Sequence, residues 1–336
     1  MTPRPLTFTR WALTLLAYAL PVIAVLLIAP LIGSQHIDSA DAVRRFFAGQ
    51  PNEATDILFY QRIPRVILAL LAGGALALAG AGFQVILRND LAEPFTLGVT
   101  GGAAVGALIA IMIPRLALHF SGSVQLFALL GAAASLGLVY RLARRPHGIS
   151  MNTLLLAGVT ISILSAGIVM FLRYMAGPEH LVAMDRWLMG GLGVVGYGEL
   201  APLLPLLLPG VVLLLMQAPA LSQLSLGEEM AAGHGVDVAW VQKMTFLGGG
   251  LATAAIVSVA GPIGFVGLIV PHAVRRMSGY DQRIVLPASF LLGAAFLAAC
   301  DTAARTIFAP LEMPVGVVTA IIGGPLFIKI LLGRKR

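Results

Sequence analysis

The sequence predicts an all-α polytopic membrane protein with about ten transmembrane helices. Of its 336 residues, 58% are hydrophobic and only 11% are charged, and the mean hydropathy is +0.92. This composition leaves too little polar surface for a soluble domain. The length accommodates about ten spans of roughly 20 apolar residues with short connections. The 38 glycines and 20 prolines are typical of closely packed, interrupted membrane helices.

The apolar runs form one membrane domain, residues 1–336. The first run is too long for the apolar region of a signal peptide and lacks a persuasive cleavage site, so it is taken as a span. The eighth is short and ends near Pro271–His272. The predicted spans are residues 11–32, 64–85, 94–113, 122–142, 152–172, 200–217, 242–261, 263–275, 284–304 and 314–332.

The positive charges predict that both chain ends are cytoplasmic. An even number of spans puts the ends on one side, and Arg4, Arg10 and residues 334–336 are basic there. The net charge of +7 is explained by cytoplasmic arginines, so nucleic acid is not an expected partner. Cys300 is the only cysteine, which excludes an internal disulfide and disfavours a cysteine metal site.

Arginines lie at the outer ends of two predicted spans. Arg62 and Arg65 stand at the start of the second span, and Arg305 follows the ninth. Each could simply extend toward lipid headgroups. Together they would form a cationic rim that an acidic partner binds through bidentate pairs. Asp301 precedes Arg305 by one helical turn, so a local ion pair is expected.

Residues 218–242 form a polar loop between two apolar runs. Within it, LGEEMAAGHGV places two glutamates before two alanines and then two glycines. Acidic residues suit the first turn of a helix and glycine suits its end, so the loop is expected to contain one short helix. A helix resting on lipid is the alternative, but its acidic face would meet an anionic leaflet. The pattern therefore favours a docking helix for a soluble partner.

Other functional classes leave no clear signal in the sequence. The spans show no midplane carboxylate or histidine of the kind that couples an ion to a secondary transporter. The scattered histidines and acids do not suggest the convergent cluster of a membrane enzyme. The chain has no Gly-x-x-x-x-Gly-Lys-[Ser/Thr] loop, so ATP would bind to another subunit. Residues 71–83 and 247–265 are similar Gly-rich segments, which fits a weak inverted repeat or chance similarity.

From about Arg62 to the C-terminus, the chain resembles the FecCD-type, or type II, permeases of ABC importers for iron–siderophores, haem and vitamin B12. Several long motifs in the family order carry this resemblance. They are RIPR (62–65), GAGFQVILRNDLAEPFTLG (80–98), LLLAG (154–158), WLMGG (187–191), residues 227–236, GPIGFVGLIVPHAVRR (261–276) and PLEMPVGVVTAIIGGP (310–325).

The resemblance implies a type II ABC importer permease fold and a non-catalytic permease in the bacterial inner membrane. It implies a homodimer around one central pathway, with lipid around it. Two ATP-binding cassette subunits would dock on the cytoplasmic side and hold ATP and Mg, and a periplasmic binding protein would dock outside. This chain itself would bind no cofactor.

The resemblance also implies roles for particular residues. Binding-protein docking falls to Arg62, Arg65 and Arg305. Coupling to the ATPase falls to Gly227, Glu228, Glu229, Ala232 and Gly235. The cytoplasmic gate falls to Asn89, Leu91, Met151 and Asn152.

Two positions depart from the family pattern. The usual Asn-Pro-Leu-Ala has Asp90 in place of proline, and Met151 stands where small hydroxyl residues are common. Both departures are expected to retune the gate. The expected cargo is a large metal chelate, an iron–siderophore first, with haem and cobalamin as alternatives. An ion-coupled secondary transporter is the alternative of another class.

Overall fold

The structure is a computed structural model that describes residues 7–113, 122–145, 148–193, 196–198 and 200–333. Arg4 and residues 334–336, which support the predicted orientation, lie outside the described residues. The helices are α1 (Phe8–Ile28), α2 (Ser39–Phe47), α3 (Glu53–Asp56), α4 (Ile63–Ile86), α5 (Val99–Met112), α6 (Ser123–Ala143), α7 (Met151–Met175), α8 (Pro178–Met189), α9 (Leu200–Met216), α10 (Ala218–Leu224), α11 (Glu228–Gly233), α12 (Val238–Ala260), α13 (Val266–Ser278), α14 (Gln282–Thr306) and α15 (Val315–Gly333). An antiparallel hairpin joins β1 (Arg144–Arg145) to β2 (Gly148–Ile149).

Three shorter helical segments lie beside these α-helices in the described chain. A 3₁₀ turn, Ala29–Leu31, extends α1, and a π-helical turn, Ile57–Arg62, leads directly into α4. A second 3₁₀ turn, Pro94–Leu97, precedes α5.

The all-α membrane fold is confirmed, and each predicted span coincides with one helix. Six described helices are long and apolar enough to cross a membrane, and α9 with α10 forms a seventh candidate bent by 49°. Helices α5 and α15 are shorter apolar helices. The remaining predicted span is α13, with Pro271 inside it. About ten spans is therefore roughly consistent with the structure.

Helix α4 occupies the centre of the bundle, and residues 72–87 are all buried. Glycines let neighbouring backbones touch it. A Cβ on Gly73 would lie 2.1 Å from the carbonyl oxygen of Gly293 in α14, and a Cβ on Gly80 would lie 2.0 Å from that of Gly267 in α13. Close approach through small residues is a common basis of helix packing in lipid, where the hydrophobic effect does not draw helices together. Helices α4, α13 and α14 therefore pack through direct backbone contact.

The polar connections are more helical than the sequence suggested. Residues 218–242, expected as a loop with one short helix, contain α10, α11 and the first turn of α12. The connection between α1 and α4 contains α2, where Asp41 and Arg45 form a 2.6 Å ion pair. Asp38 caps α2 by accepting hydrogen bonds from two backbone N–H groups. Local capping of this kind explains helices that apolar periodicity alone did not predict.

Candidate functional site

Arg65 and Arg305 share one buried carboxylate at the ends of α4 and α14 that are predicted to face outward. The Arg65 guanidinium donates to Asp301 at 3.0 and 3.1 Å, and Arg305 Nε donates to Asp301 Oδ2 at 3.1 Å. The predicted Asp301–Arg305 pair is confirmed. Arg65 also reaches Glu312 Oε2 at 2.7 Å. This cluster ties α4 to α14 and to the connection that follows α14.

Backbone carbonyls hold the outer side of the cluster. Arg62 Nη1 donates to the carbonyl of Pro30 at 3.2 Å, and Arg305 Nη1 donates to that of Ile32 at 3.2 Å. Both oxygens lie at the C-terminal end of α1 and its 3₁₀ extension, where the helix dipole is negative. The end of α1 therefore attracts both guanidinium groups. Gly33 leaves room for this contact, because a Cβ there would lie 2.5 Å from Arg62 Nη2.

The three predicted docking arginines come together, but they do not form an exposed rim. Arg62 is 6% exposed and Arg305 is 3% exposed. The backbone carbonyls and Asp301 draw these two side chains inward, which the sequence spacing did not reveal. All three arginines line a cavity of about 290 Å³ together with Glu312. The cavity presents three cations and one partly exposed carboxylate, and the docking role of the arginines stays a prediction.

The predicted coupling segment forms α11, a helix of six residues. Gly227 precedes it at φ +131° and Gly235 follows it at φ +83°, backbone conformations that favour glycine. Glu229 and Ala232 are exposed, while Ala231 is fully buried against the bundle. The exposed side of this short helix is thus available to a partner, while Ala231 anchors it.

Glu228 joins α11 to the bundle. Its carboxylate lies 3.3 Å from Arg88 Nη2 and accepts a 3.3 Å hydrogen bond from Gln242 Nε2. Arg88 follows the end of α4 in a left-handed conformation, at φ +47°, which is uncommon for a residue other than glycine. The first residue of α11 is therefore bonded to both α12 and the end of the central helix.

A buried polar network, which no local sequence pattern predicts, lies beside this contact. The Gln84 amide donates to the carbonyl of Gly267 at 3.1 Å, and its oxygen accepts a hydrogen bond from Arg275. Asp90 Oδ1 lies 3.9 Å from Arg275 Nη2. Asp90, the departure from the family proline, therefore serves as a counter-charge for a buried arginine. The Asp90–Arg275 proximity depends on the fold and leaves no local pattern.

The predicted gate residues lie on two separate segments. The Asn89 side chain accepts a 2.9 Å hydrogen bond from the backbone N–H of Leu91, which closes the turn after α4. Leu91 is exposed. Met151 is the first residue of α7 and packs against the core, and Asn152 beside it is exposed. Their role at a gate stays a prediction.

Glu93 forms a further, partly buried contact that leaves no local pattern in the sequence. Its carboxylate accepts a 3.3 Å hydrogen bond from the backbone N–H of Phe265, which precedes α13 at φ +69°. Burial raises the pKa of the Glu93 carboxyl, and the hydrogen bond from Phe265 partly opposes that shift. A carboxylate thus connects the segment after α4 to the bend between α12 and α13.

Across residues 7–113, 122–145, 148–193, 196–198 and 200–333, the His, Cys, Asp and Glu side chains form no group of three or more that would hold a metal ion.

Comparisons with known proteins give consistent matches. The model of the FecCD transport family matches residues 21–333. The cobalamin import permease BtuC of Halobacterium salinarum is 41% identical to this chain. The aligned region covers 85% of this chain and 76% of BtuC. The hemin transport permease HmuU of Yersinia pestis is 40% identical, covering 82% of each chain. An uncharacterized ABC transporter permease of Bacillus subtilis, YvrB, is 37% identical and covers 84% and 80%.

A solved structure has the same fold. It is described as a metal-chelate type ABC transporter in an inward-facing conformation. It is 29% identical to this chain, with a TM-score of 0.82 over 96% of this chain and 99% of its own.

Proposed function

The chain belongs to the FecCD transport family of ABC importer permeases, and we propose that it carries a large metal chelate into the cell. As a permease subunit it is not catalytic, and ATP is hydrolysed on a partner. An ion-coupled secondary transporter is not retained, because the family draws its energy from an ATPase.

The contacts at the two ends of α4 support this proposal. At one end, Arg62 and Arg65 line the arginine cavity. At the other, Arg88 is paired with Glu228 of α11. One buried helix therefore connects a cationic cavity, suited to acidic groups of a binding protein, with an exposed helix suited to an ATPase. A permease that couples two docking events needs such a connection.

The remaining parts of the assembly follow from the family. A second copy of the chain completes the central pathway, and two ATP-binding cassette subunits that hold ATP and Mg bind the two α11 helices. Both termini face the cytoplasm of a bacterial inner membrane. Asn89, Leu91, Met151 and Asn152 narrow the pathway at its cytoplasmic end.

The cargo is a large metal chelate, with an iron–siderophore as the first candidate. Haem and cobalamin are the other candidates, since relatives carry names for hemin and cobalamin transport. Ionisable side chains are sparse in the described spans, so the pathway offers few groups that would retain a ligand. Selection of the ligand then falls to the binding protein.

The test is uptake into liposomes that contain this chain with its own ATPase, using its own binding protein and each of the three ligands. We expect ATP-dependent uptake of one of them. Stimulated ATP hydrolysis with no uptake would reject all three ligands while keeping the importer. Failure to associate with any ATPase would reject the role of α11.

A further inference from the structure

A basic cleft lies between the β1–β2 hairpin and the first turns of α12. The hairpin pairs Arg144 with Ile149, and Gly148 rests against Ala239, where an added Cβ would lie 3.3 Å from the alanine Cβ. The resulting cavity measures about 270 Å³. It lies on the same side of the bundle as α11, because α12 begins five residues after α11 ends.

The charges of this cleft suit an anion. Arg144, Arg145 and Lys243 line it, and Asp237 is the only carboxylate among the lining residues that the structure describes. That carboxylate caps α12 by accepting the Trp240 N–H at 2.9 Å, so one of its oxygens is already engaged. Both hairpin arginines are exposed. Three cations therefore face one carboxylate that has a structural role.

The rim of the cleft suits a lipid rather than a soluble anion. Trp240, Lys243 and Leu247 follow one another on a single face of α12. Trp240 is 54% exposed and Leu247 is 42% exposed, while Lys243 Nζ lies 6.0 Å from the Trp240 ring centre. Tryptophan concentrates at membrane interfaces, and basic side chains at the same level attract anionic headgroups. Leu247 lies one turn further along α12, within the predicted membrane span, where an acyl chain would pass.

We propose that this cleft binds the phosphate headgroup of an anionic phospholipid, with the acyl chain lying along Leu247. Arg145 and Lys243 contact the phosphate, and the Trp240 ring, one turn nearer the start of α12, lies beside the headgroup. This lipid site is separate from the transport function proposed above. A lipid bound there would hold the hairpin against α12 beside α11.

The test measures quenching of Trp240 fluorescence in the full chain in phosphatidylcholine nanodiscs with a small fraction of brominated phosphatidylglycerol. Subtracting the Trp240→Phe signal isolates this residue from the other two tryptophans. We expect quenching well above that from the same fraction of brominated phosphatidylcholine. Arg145→Gln/Lys243→Gln should reduce the preference by about fivefold per cation.

The matched control is Arg44→Gln/Arg276→Gln, which removes the same charge at two exposed arginines outside the cleft. It should keep the full preference, and Arg145→Lys/Lys243→Arg should keep most of it. If the glutamine double variant fails to fold, the charge-conserving variant Arg145→Lys/Lys243→Arg still tests whether the positive charges of the cleft bind the lipid.

Three results would overturn the proposal. The first is equal quenching by the two brominated lipids, and the second is a preference that the glutamine double variant retains. The third is loss of quenching on addition of inorganic phosphate, compared with chloride at equal ionic strength, which would identify a free-anion site. In the second case, loss of the ATPase partner by the same double variant would assign the cleft to protein contact instead.

Discussion

Arg88 and Glu228 join the end of α4 to the first residue of α11 through a 3.3 Å ion pair. The two side chains are 55% and 44% exposed, so the pair contributes at most about 1 kcal/mol to stability. Its importance is positional, because no other described ion pair connects α11 to α4.

We expect Glu228→Lys to lower the number of substrate molecules carried per ATP hydrolysed, because like charges would then separate α11 from α4. The double variant Arg88→Glu/Glu228→Lys restores an opposite-charge pair and should recover part of that ratio. Glu229→Lys is a useful comparison, since Glu229 faces outward and Arg88→Glu should not rescue it. Identical coupling in wild type and Glu228→Lys would refute the link.

Asp301→Asn should strongly destabilise the protein. Asp301 is fully buried and lies between two arginines, so its loss leaves two cations without their shared counter-charge. Removing one partner of a buried ion pair costs about 3–5 kcal/mol. Thermal unfolding in detergent measures the effect, with Glu312→Gln as a control because Glu312 is partly exposed and should cost under about 1 kcal/mol. Similar losses for both variants would argue against the shared role of Asp301.

Arg65→Gln should weaken docking of the binding protein by about tenfold at low salt and by less at high salt, because screening reduces charge attraction. Arg65 is the least buried of the three arginines in the cavity. Arg45→Gln serves as the control, since the Arg45 pair lies within α2. The control Arg45→Gln keeps all three cavity arginines, so its affinity for the binding protein should fall as salt is added. An affinity that is independent of salt in both variants would contradict a charged docking cavity.

The sequence predicted the helices better than it predicted the contacts of these charges. A membrane helix needs a continuous apolar run, so each span leaves a local signal. Arg65 and Asp301 are 236 positions apart, and the carbonyls that hold Arg62 lie in the segment that follows α1. Such contacts depend on which helices pack together. Glutamates followed by glycines did predict α11, because a short helix is determined locally.

Glu93 should make stability depend on pH. Its pKa is raised in the folded protein above the usual value of about 4.3, so folding favours its protonated form. The free energy of unfolding should therefore be highest below about pH 4.3, the usual carboxyl pKa, and should fall as the pH rises through the raised pKa of the folded protein. Glu93→Gln keeps an acceptor for the Phe265 N–H and should flatten this dependence, measured as melting temperature between pH 4 and 8. An unchanged pH profile would show that Glu93 does not cause it.

Met151→Ala should increase leakage of substrate from loaded liposomes without ATP if Met151 narrows the pathway. Met175→Ala is the matched control, because Met175 is exposed at the opposite end of the same helix. Equal leakage from both variants would remove Met151 from the gate.

The glycine contacts of α4 restrict how the bundle can move. Gly73 meets Gly293 and Gly80 meets Gly267 with no side chain between the backbones, so sliding along the helix axes would drive neighbouring Cβ atoms into carbonyl oxygens. Helices α4, α13 and α14 should therefore rotate together as one rigid body. A small displacement of Arg88 would then appear at Arg62 as a tilt, without any bend in the helix that joins them.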